Sequence, residues 1–157
     1  MTQKSLFGGD ADAPTPRAAA PAIRAHIDGG ARGNPGPSAY GVVVRDAKGE
    51  VIAELSDYLG IQTNNFAEYS GLLAALDFAV RENHLTFKVF SDSELLVKQM
   101  KGQYRVKSPG LLELYERART LVRKLERFSI EHVLREYNRE ADALVNQVLD
   151  SRARGGR

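Results

Sequence analysis

The chain has 157 residues, 43% hydrophobic and 27% charged, with a net charge of +2, as expected for one globular domain with its own core. It contains no cysteine, which excludes disulfides and thiolate metal sites and leaves oxygen or histidine ligands for any metal. Its apolar stretches are shorter than the roughly 18 residues of a membrane span, so we expect a cytoplasmic protein without membrane contact.

The first 21 residues differ from the rest of the chain. They are rich in Ala, Pro, Gly and Asp and lack apolar periodicity, which predicts a flexible leader over 1–21. Within this leader, Leu6 and Phe7 form an isolated apolar pair. Regular patterns begin at residue 22 and predict a folded domain over 22–151, followed by a basic tail over 152–157.

The folded part alternates strand and helix patterns. Residues 22–28 predict a strand and 29–38 a glycine-rich loop. The remaining predicted elements are strands at 39–46 and 50–59, a helix at 65–82, a strand at 86–92, helices at 93–102 and 111–127, a strand at 128–136 and a helix at 139–150. This order predicts an α/β fold with a mixed sheet flanked by helices.

Four carboxylates occupy positions with little structural need for a charge. Asp28 and Asp92 end predicted strands, where ligands collect in open α/β sheets. Glu68 lies on the sheet-facing side of its helix, and Asp142 borders the apolar stripe of the last helix. Carboxylates gathered by folding repel one another, and divalent cations relieve that repulsion. The pattern indicates a metal-dependent enzyme that acts on phosphates.

Each acid also has a structural alternative. Asn65 and Glu68, like Ser91 and Glu94, have the spacing of a capping box, in which the acid binds its own helix end. Asp92 could be a helix N-cap or a first-turn acid, and Asp142 a first-turn acid that stabilises the helix dipole after an N-cap at Asn138. For each acid taken alone, the structural role is as good an explanation as metal binding. The four acids taken together favour a common site.

Four motifs together resemble the type 1 ribonuclease H family: DGGARGNPGPSAYGVVV, QTNNFAEYSGLLAAL, FSDSELL and NREADALVNQ. The motifs occur in the family's order, and the resemblance covers residues 22–150. The resemblance implies a ribonuclease H-like fold, a five-stranded mixed sheet of order 3-2-1-4-5 with helices on both sides.

The resemblance also implies a reaction. Asp28, Glu68, Asp92 and Asp142 would be both the catalytic residues and the ligands of two Mg²⁺ ions, with Mn²⁺ as a substitute. The expected reaction is endonucleolytic cleavage of the RNA strand of RNA–DNA hybrids to 5′-phosphate and 3′-hydroxyl ends. Double-stranded RNA stays open as a second substrate.

Substrate contacts follow from the same resemblance. It implies sugar-edge contacts from three asparagines, close approach of the substrate to three glycines, and a DNA-phosphate pocket made by an arginine and a threonine. In that order these residues are Asn34, Asn64 and Asn65; Gly29, Gly30 and Gly33; and Arg45 and Thr63.

The chain departs from the family's well-studied members before the last helix. The loop LREYNRE is short and holds no histidine, although a catalytic histidine is expected there. We interpret His132, which alternates with Ile130 and Leu134, as a packed strand residue. Arg139 is the candidate for electrostatic assistance in its place.

The basic handle helix and a stacking tryptophan are also missing. Tyr104 is a candidate substitute for the tryptophan. The alternatives for the basic helix 111–127 are a solvated surface and a contact for a polyanion, whose affinity would depend on salt.

Two further hypotheses concern partners. Gln3, Leu6 and Phe7 fit the short peptide by which bacterial replication and repair proteins bind the sliding clamp, with a chance match as the alternative. The rival functions for the whole chain are a binding module of the same fold with little activity, or another nuclease of the superfamily.

Overall fold

The computed structural model describes residues 22–155. Three strands come first: β1 (Ile23–Ala31), β2 (Gly36–Arg45) and β3 (Val51–Gln62). The following elements are α1 (Asn64–Arg81), β4 (Thr86–Ser91), α2 (Glu94–Met100), α3 (Pro109–Val122), β5 (Arg127–His132), a 3₁₀ turn (Arg135–Tyr137) and α4 (Arg139–Gly155). The candidate clamp-binding residues Gln3, Leu6 and Phe7 lie outside the described part.

The five strands form one mixed sheet in the order β3-β2-β1-β4-β5. The pairs β1–β2 and β2–β3 are antiparallel, whereas β1–β4 and β4–β5 are parallel. The predicted strand order 3-2-1-4-5 is therefore confirmed. Strand β1 lies at the centre and joins the antiparallel half of the sheet to the parallel half.

The helices cover both faces of the sheet. On β1, Ala25 and Ile27 are buried and belong to one core with residues of α1, α2 and α3. Neighbouring strand residues point to opposite faces. On the other face, Val145 and Leu149 of α4 form a second, smaller cluster with Ala39 of β2.

Two glycines let these helices approach the central strands closely. A Cβ atom on Gly29 would overlap the backbone of α1 at Ala67 and Glu68. On the opposite face, a Cβ atom on Gly41 would lie 2.5 Å from the carbonyl oxygen of Ala141 in α4. Because Gly41 pairs with Asp28, both helices close on the sheet beside that acid.

Several element ends differ from the sequence prediction. Strand β2 begins at Gly36, β3 continues to Gln62, and α4 continues to Gly155, into the predicted basic tail. Strand β1 continues to Ala31, so Gly29 and Gly30 belong to the strand and not to the predicted loop. Helix α3 ends at Val122, and β5 ends at His132 before the 3₁₀ turn. Within residues 22–155, no helix is long and apolar enough to cross a membrane.

Candidate active site

A cavity of about 520 Å³ opens at the sheet edge where β1 and β4 end. All four predicted acids lie on its wall: Asp28, Glu68, Asp92 and Asp142. The parallel ladder between β1 and β4 ends at the pair Ile27–Ser91, and Asp28 and Asp92 follow directly. Such an edge is where open α/β sheets bind their ligands.

Asp92 is not needed to start helix α2. The N-cap is Ser93, whose hydroxyl accepts a hydrogen bond from the Leu96 amide at 3.2 Å. The Ser91 hydroxyl accepts from the Ser93 amide at 3.0 Å, so the proposed box between Ser91 and Glu94 does not form as such. The Asp92 carboxylate is therefore available to the cavity.

Glu68 is likewise not used by the start of its helix. Thr63 caps α1, and its hydroxyl accepts a hydrogen bond from the Phe66 amide at 3.1 Å. This cap places Glu68 beyond the first turn, so the capping-box alternative with Asn65 is wrong. The helix instead carries Glu68 past Gly29 to the cavity wall.

Asp142 is placed by a buried asparagine. Asn138 is only 1% exposed, and its side-chain amide donates a hydrogen bond to the backbone carbonyl oxygen of Ile27 at 2.8 Å. The backbone carbonyl of Asn138 accepts a hydrogen bond from the backbone amide of Asp142 at 3.1 Å. Asn138 thus links the start of α4 to the residue before Asp28, and its side chain does not serve as the predicted N-cap.

The pKa values of two of these acids are raised, because placing buried carboxylates close together disfavours their ionised forms. Burial, then the nearby charge of Asp92, then contact with Asp142 raise the pKa of Asp28 to about 8. Burial raises the pKa of Glu68 to about 7, opposed by a hydrogen bond from Ser93. A bound cation would favour the ionised forms and offset this cost.

These shifts predict that the metal-free protein loses stability as pH rises. The ordinary pKa values are 3.8 for Asp28 and 4.5 for Glu68, so between about pH 5 and about pH 8 the folded state binds more protons than the unfolded state. The free energy of unfolding should therefore fall across that range, by up to a few kcal/mol. Urea denaturation in EDTA measures it, and Mg²⁺ should restore part of the loss at the upper end.

His26 must be separated from this effect. Burial lowers its pKa, so His26 destabilises the fold at low pH, and this loss is relieved as pH rises toward its ordinary value of 6.5. The same titration on Asp28→Asn removes the larger of the two acid contributions to the pH dependence of stability. The contributions of Glu68 and His26 remain. A wild-type protein that gains stability between about pH 7 and about pH 8 without metal would contradict the prediction.

The donors of the cavity fit a hard divalent cation. Carboxylate oxygens are the ligands that Mg²⁺ prefers, and the wall offers four carboxylates. Over residues 22–155, no three acidic or histidine side chains converge tightly enough to hold an ion as they stand. The acids surround an open space, as expected where substrate oxygens complete the coordination.

Two cations, Arg32 and Arg135, lie on the cavity wall, and Arg135, which the sequence did not indicate, is the one beside Asp92. Its Nε atom lies 4.0 Å from Oδ2 of Asp92, and its side chain is 89% exposed on the cavity wall. The predicted Arg139 instead lines a separate small cavity beside His26. His132 is exposed at the end of β5, so its interpretation as a packed residue is wrong.

The predicted polar contacts divide into two groups. Gly29, Gly30, Asn64 and Asn65 lie on the cavity wall. Gly33 and Asn34 do not, because they form the tip of the β1–β2 turn. There the side-chain oxygen of Asn34 accepts a hydrogen bond from the backbone amide of Asn64 at 3.0 Å. The side-chain oxygen of Asn64 accepts one from the backbone amide of Ala31 at 2.9 Å. These asparagines hold the turn against α1.

Arg45 and Thr63 cannot form one phosphate pocket. Thr63 follows Gln62, which pairs with Gly36 at the first residue of β2, whereas Arg45 is the last residue of β2. Nine strand positions separate the two sites by roughly 30 Å. Arg45 instead makes a bidentate ion pair with Glu140, at 2.7 and 2.9 Å, at the start of α4. The predicted pocket that Arg45 and Thr63 share is therefore wrong.

Comparisons with known proteins agree with this geometry. Residues 26–148 match the family described as reverse transcriptase-like. The bifunctional protein Rv2228c of Mycobacterium tuberculosis is 46% identical over 127 residues, which are 80% of this chain and 35% of that protein. Ribonuclease HI of Halobacterium salinarum is 41% identical over 128 residues, 82% of this chain and 64% of that protein. The chain thus spans about a third of the mycobacterial relative.

Solved structures match over nearly their whole length. The N-terminal RNase H domain of Rv2228c has a TM-score of 0.83 at 43% identity, covering 87% of this chain and 99% of that one. LC11-RNase H1, solved in complex with an RNA/DNA hybrid, has a TM-score of 0.77 at 42% identity, covering 82% and 97%. With this fold, these relatives and four acids around one cavity, the chain belongs to the type 1 ribonuclease H family.

Proposed function

We propose that this chain is a metal-dependent endonuclease that hydrolyses the RNA strand of RNA–DNA hybrids, leaving 5′-phosphate and 3′-hydroxyl ends. The observation that carries the proposal is the placement of Asp28, Glu68, Asp92 and Asp142 on one cavity wall. The similarity to LC11-RNase H1, which was solved with an RNA/DNA hybrid, supports the choice of substrate.

The four acids would hold two Mg²⁺ ions, and Mn²⁺ would substitute. When bound, the ions supply a water nucleophile of lowered pKa and neutralise charge at the leaving oxygen. The residues of the chain concentrate negative charge that would repel a phosphate chain in the absence of cations. A site that only bound nucleic acid would gain nothing from this charge, which argues against the inactive binding module.

Recognition of the RNA strand would fall to the residues beside the acids. Asn64 and Asn65 present amides at the cavity wall, and Gly30 leaves the adjacent backbone uncovered there. The 2′-hydroxyl both donates and accepts hydrogen bonds, so backbone and amide groups can distinguish RNA from DNA. Arg135 would attract the scissile phosphate toward Asp92.

Basic and aromatic groups away from the cavity would supply general affinity. Tyr104 is 50% exposed in the connection between α2 and α3, and the Lys98 ammonium lies 5.0 Å from its ring centroid. Lys101, Arg105 and Lys107 surround it in sequence and are exposed. Contacts of this kind bind phosphates without sequence preference and weaken with salt.

A substrate panel tests the proposal. Labelled RNA–DNA hybrid, double-stranded RNA and double-stranded DNA are incubated with protein and Mg²⁺ or Mn²⁺, and the ends of the products are mapped. We expect internal cuts in the RNA strand of the hybrid and none with Asp92→Asn. Hybrid binding without cleavage in either metal would overturn the proposal and favour the binding module.

Arg135→Ala should lower kcat/KM for the hybrid about tenfold, because an exposed cation beside the acids attracts the phosphate without holding it rigidly. The effect should shrink as salt is raised. Arg139→Ala is the matched control: it removes the same charge four residues away, outside the cavity, and should change kcat/KM less than twofold. Equal losses in both variants would show that Arg135 has no particular role.

A further inference from the structure

Asp142 is contacted by a side chain that the proposed reaction does not use. Asn146 lies one helical turn after Asp142 on the same face of α4. Its amide nitrogen lies 3.3 Å from Oδ2 of Asp142 and 3.2 Å from the Asp142 carbonyl oxygen. The amide therefore donates to the carboxylate and to the backbone of the preceding turn of α4.

Asn146 is itself held by the β1–β2 turn. The Nη2 atom of Arg32 lies 3.1 Å from the side-chain oxygen of Asn146 and 2.7 Å from Oδ1 of Asp150. A guanidinium group only donates, so the amide oxygen of Asn146 must face Arg32 and its NH₂ group must face Asp142. Arg32 thereby fixes the orientation in which Asn146 is useful to Asp142.

We propose that Arg32 and Asn146 form a hydrogen-bond relay that positions the Asp142 carboxylate for metal binding. The inference rests on the proposed function in that Asp142 is taken as a metal ligand. Arg32, Asn146 and Asp142 all lie on the wall of the same cavity. The relay is thus a direct link between the turn beside the substrate and an acid on α4.

The need for such a relay follows from the position of Asp142. Asp142 shares the wall of one cavity with three other acids, so its carboxylate needs a neighbour that holds it in place. Asp142 also stands on the first turn of α4 and is half-buried. The amide of Asn146 donates to this carboxylate and restricts its rotamers, which is the usual task of a residue that supports a metal ligand.

Asn146 and Arg32 are positioning residues, so metal binding without substrate is the proper measurement. Mg²⁺ alone is titrated into the full-length protein and followed by NMR shifts of backbone amides around the cavity. We expect Asn146→Ala to bind Mg²⁺ about tenfold more weakly, at the low end of the range for groups that support metal ligands. Arg32→Ala should weaken binding by a smaller factor, because a freed Asn146 still samples the correct orientation.

Two controls isolate the relay. Gln147→Ala removes the neighbouring exposed amide, which lines a different groove, and should leave the Mg²⁺ affinity unchanged. In the double variant Arg32→Ala/Asn146→Ala, the loss should equal that of Asn146→Ala alone, because Arg32 acts only through Asn146. Little change in melting temperature is expected, since these contacts are exposed.

The outcomes separate this inference from the proposed function. A wild-type Mg²⁺ affinity in Asn146→Ala, or additive losses in the double variant, would overturn the relay even if the protein cleaves hybrid. Conversely, an affinity that depends on Asn146 in a protein that cleaves no hybrid would support the relay and remove the proposed reaction.

Discussion

Replacing Asp28 with asparagine should abolish hybrid cleavage and yet make the metal-free protein more stable above about pH 7. The loss of cleavage should be about 1,000-fold or more, corresponding to roughly 4 kcal/mol of transition-state stabilisation by the metal site. The gain in stability has a separate cause. Burial and the charges of Asp92 and Asp142 raise the pKa of Asp28 to about 8, so its ionised form is costly there. A neutral amide of the same shape avoids that cost.

Asp77→Asn is the matched control for this change. It also removes one negative charge, but Asp77 is 55% exposed and pairs with Arg81 on the surface of α1. It should leave cleavage unchanged and alter stability by less than about 1 kcal/mol. Cleavage rates and urea denaturation in EDTA, each on both variants, complete the comparison. An Asp28→Asn protein that is less stable than Asp77→Asn at about pH 8 would contradict the electrostatic argument.

The opposite signs of the two effects have one origin. An active site that binds cations through four acids must hold them close together before the cation arrives, and the fold bears that cost through burial and repulsion. Mg²⁺ therefore should stabilise the wild-type protein much more than Asp28→Asn. The difference between the two melting temperatures, with and without Mg²⁺, measures how far the metal site and the stability of the fold are coupled.

Three of the four acids were predictable because their positions follow from periodicity, whereas the role of Asp142 follows chiefly from the family resemblance. Asp28 and Asp92 end runs of alternating or apolar residues, and the sheet topology brings such ends to one edge. Glu68 follows from the helix phase of α1. For Asp142 the pattern predicted the helix, but the buried link from Asn138 to Ile27 spans 111 residues and has no local signal.

Residues around the acids were less predictable, because their roles depend on direction and not on spacing. Arg45 and Thr63 both flank strands, yet the antiparallel pairing of β2 and β3 puts them at opposite ends of the sheet. Arg135 and Arg139 occur in one short loop, and the 3₁₀ turn between them sends only Arg135 into the cavity. A turn of this kind has no repeating pattern to show which side chain faces inward.

Gly29 is another residue whose role depends on the fold and not on its spacing in the sequence, and this role can be tested. The family resemblance implies a glycine that lets the substrate approach the backbone, whereas the structure packs helix α1 against it. Gly29→Ala should therefore destabilise the protein by about 1–3 kcal/mol or more, because the new methyl group overlaps helix backbone and not a movable side chain. The helix must shift, and Glu68 moves with it, so Mg²⁺ affinity should fall as well. Urea denaturation and Mg²⁺ titration measure the two losses.

Gly110→Ala provides the contrast, since a Cβ atom at this helical position meets nothing within 4 Å. That variant should be neutral or more stable by a few tenths of a kcal/mol, up to about 1 kcal/mol. The two interpretations of Gly29 then predict different results. If its role were only to admit the substrate, Gly29→Ala would match Gly110→Ala in stability and Mg²⁺ affinity while its KM for hybrid rose. If Gly29 instead allows α1 to pack closely, stability and Mg²⁺ affinity fall before any substrate is added. The reason is that a side chain at Gly29 would push α1 away and increase the distance between Asp28 and Glu68.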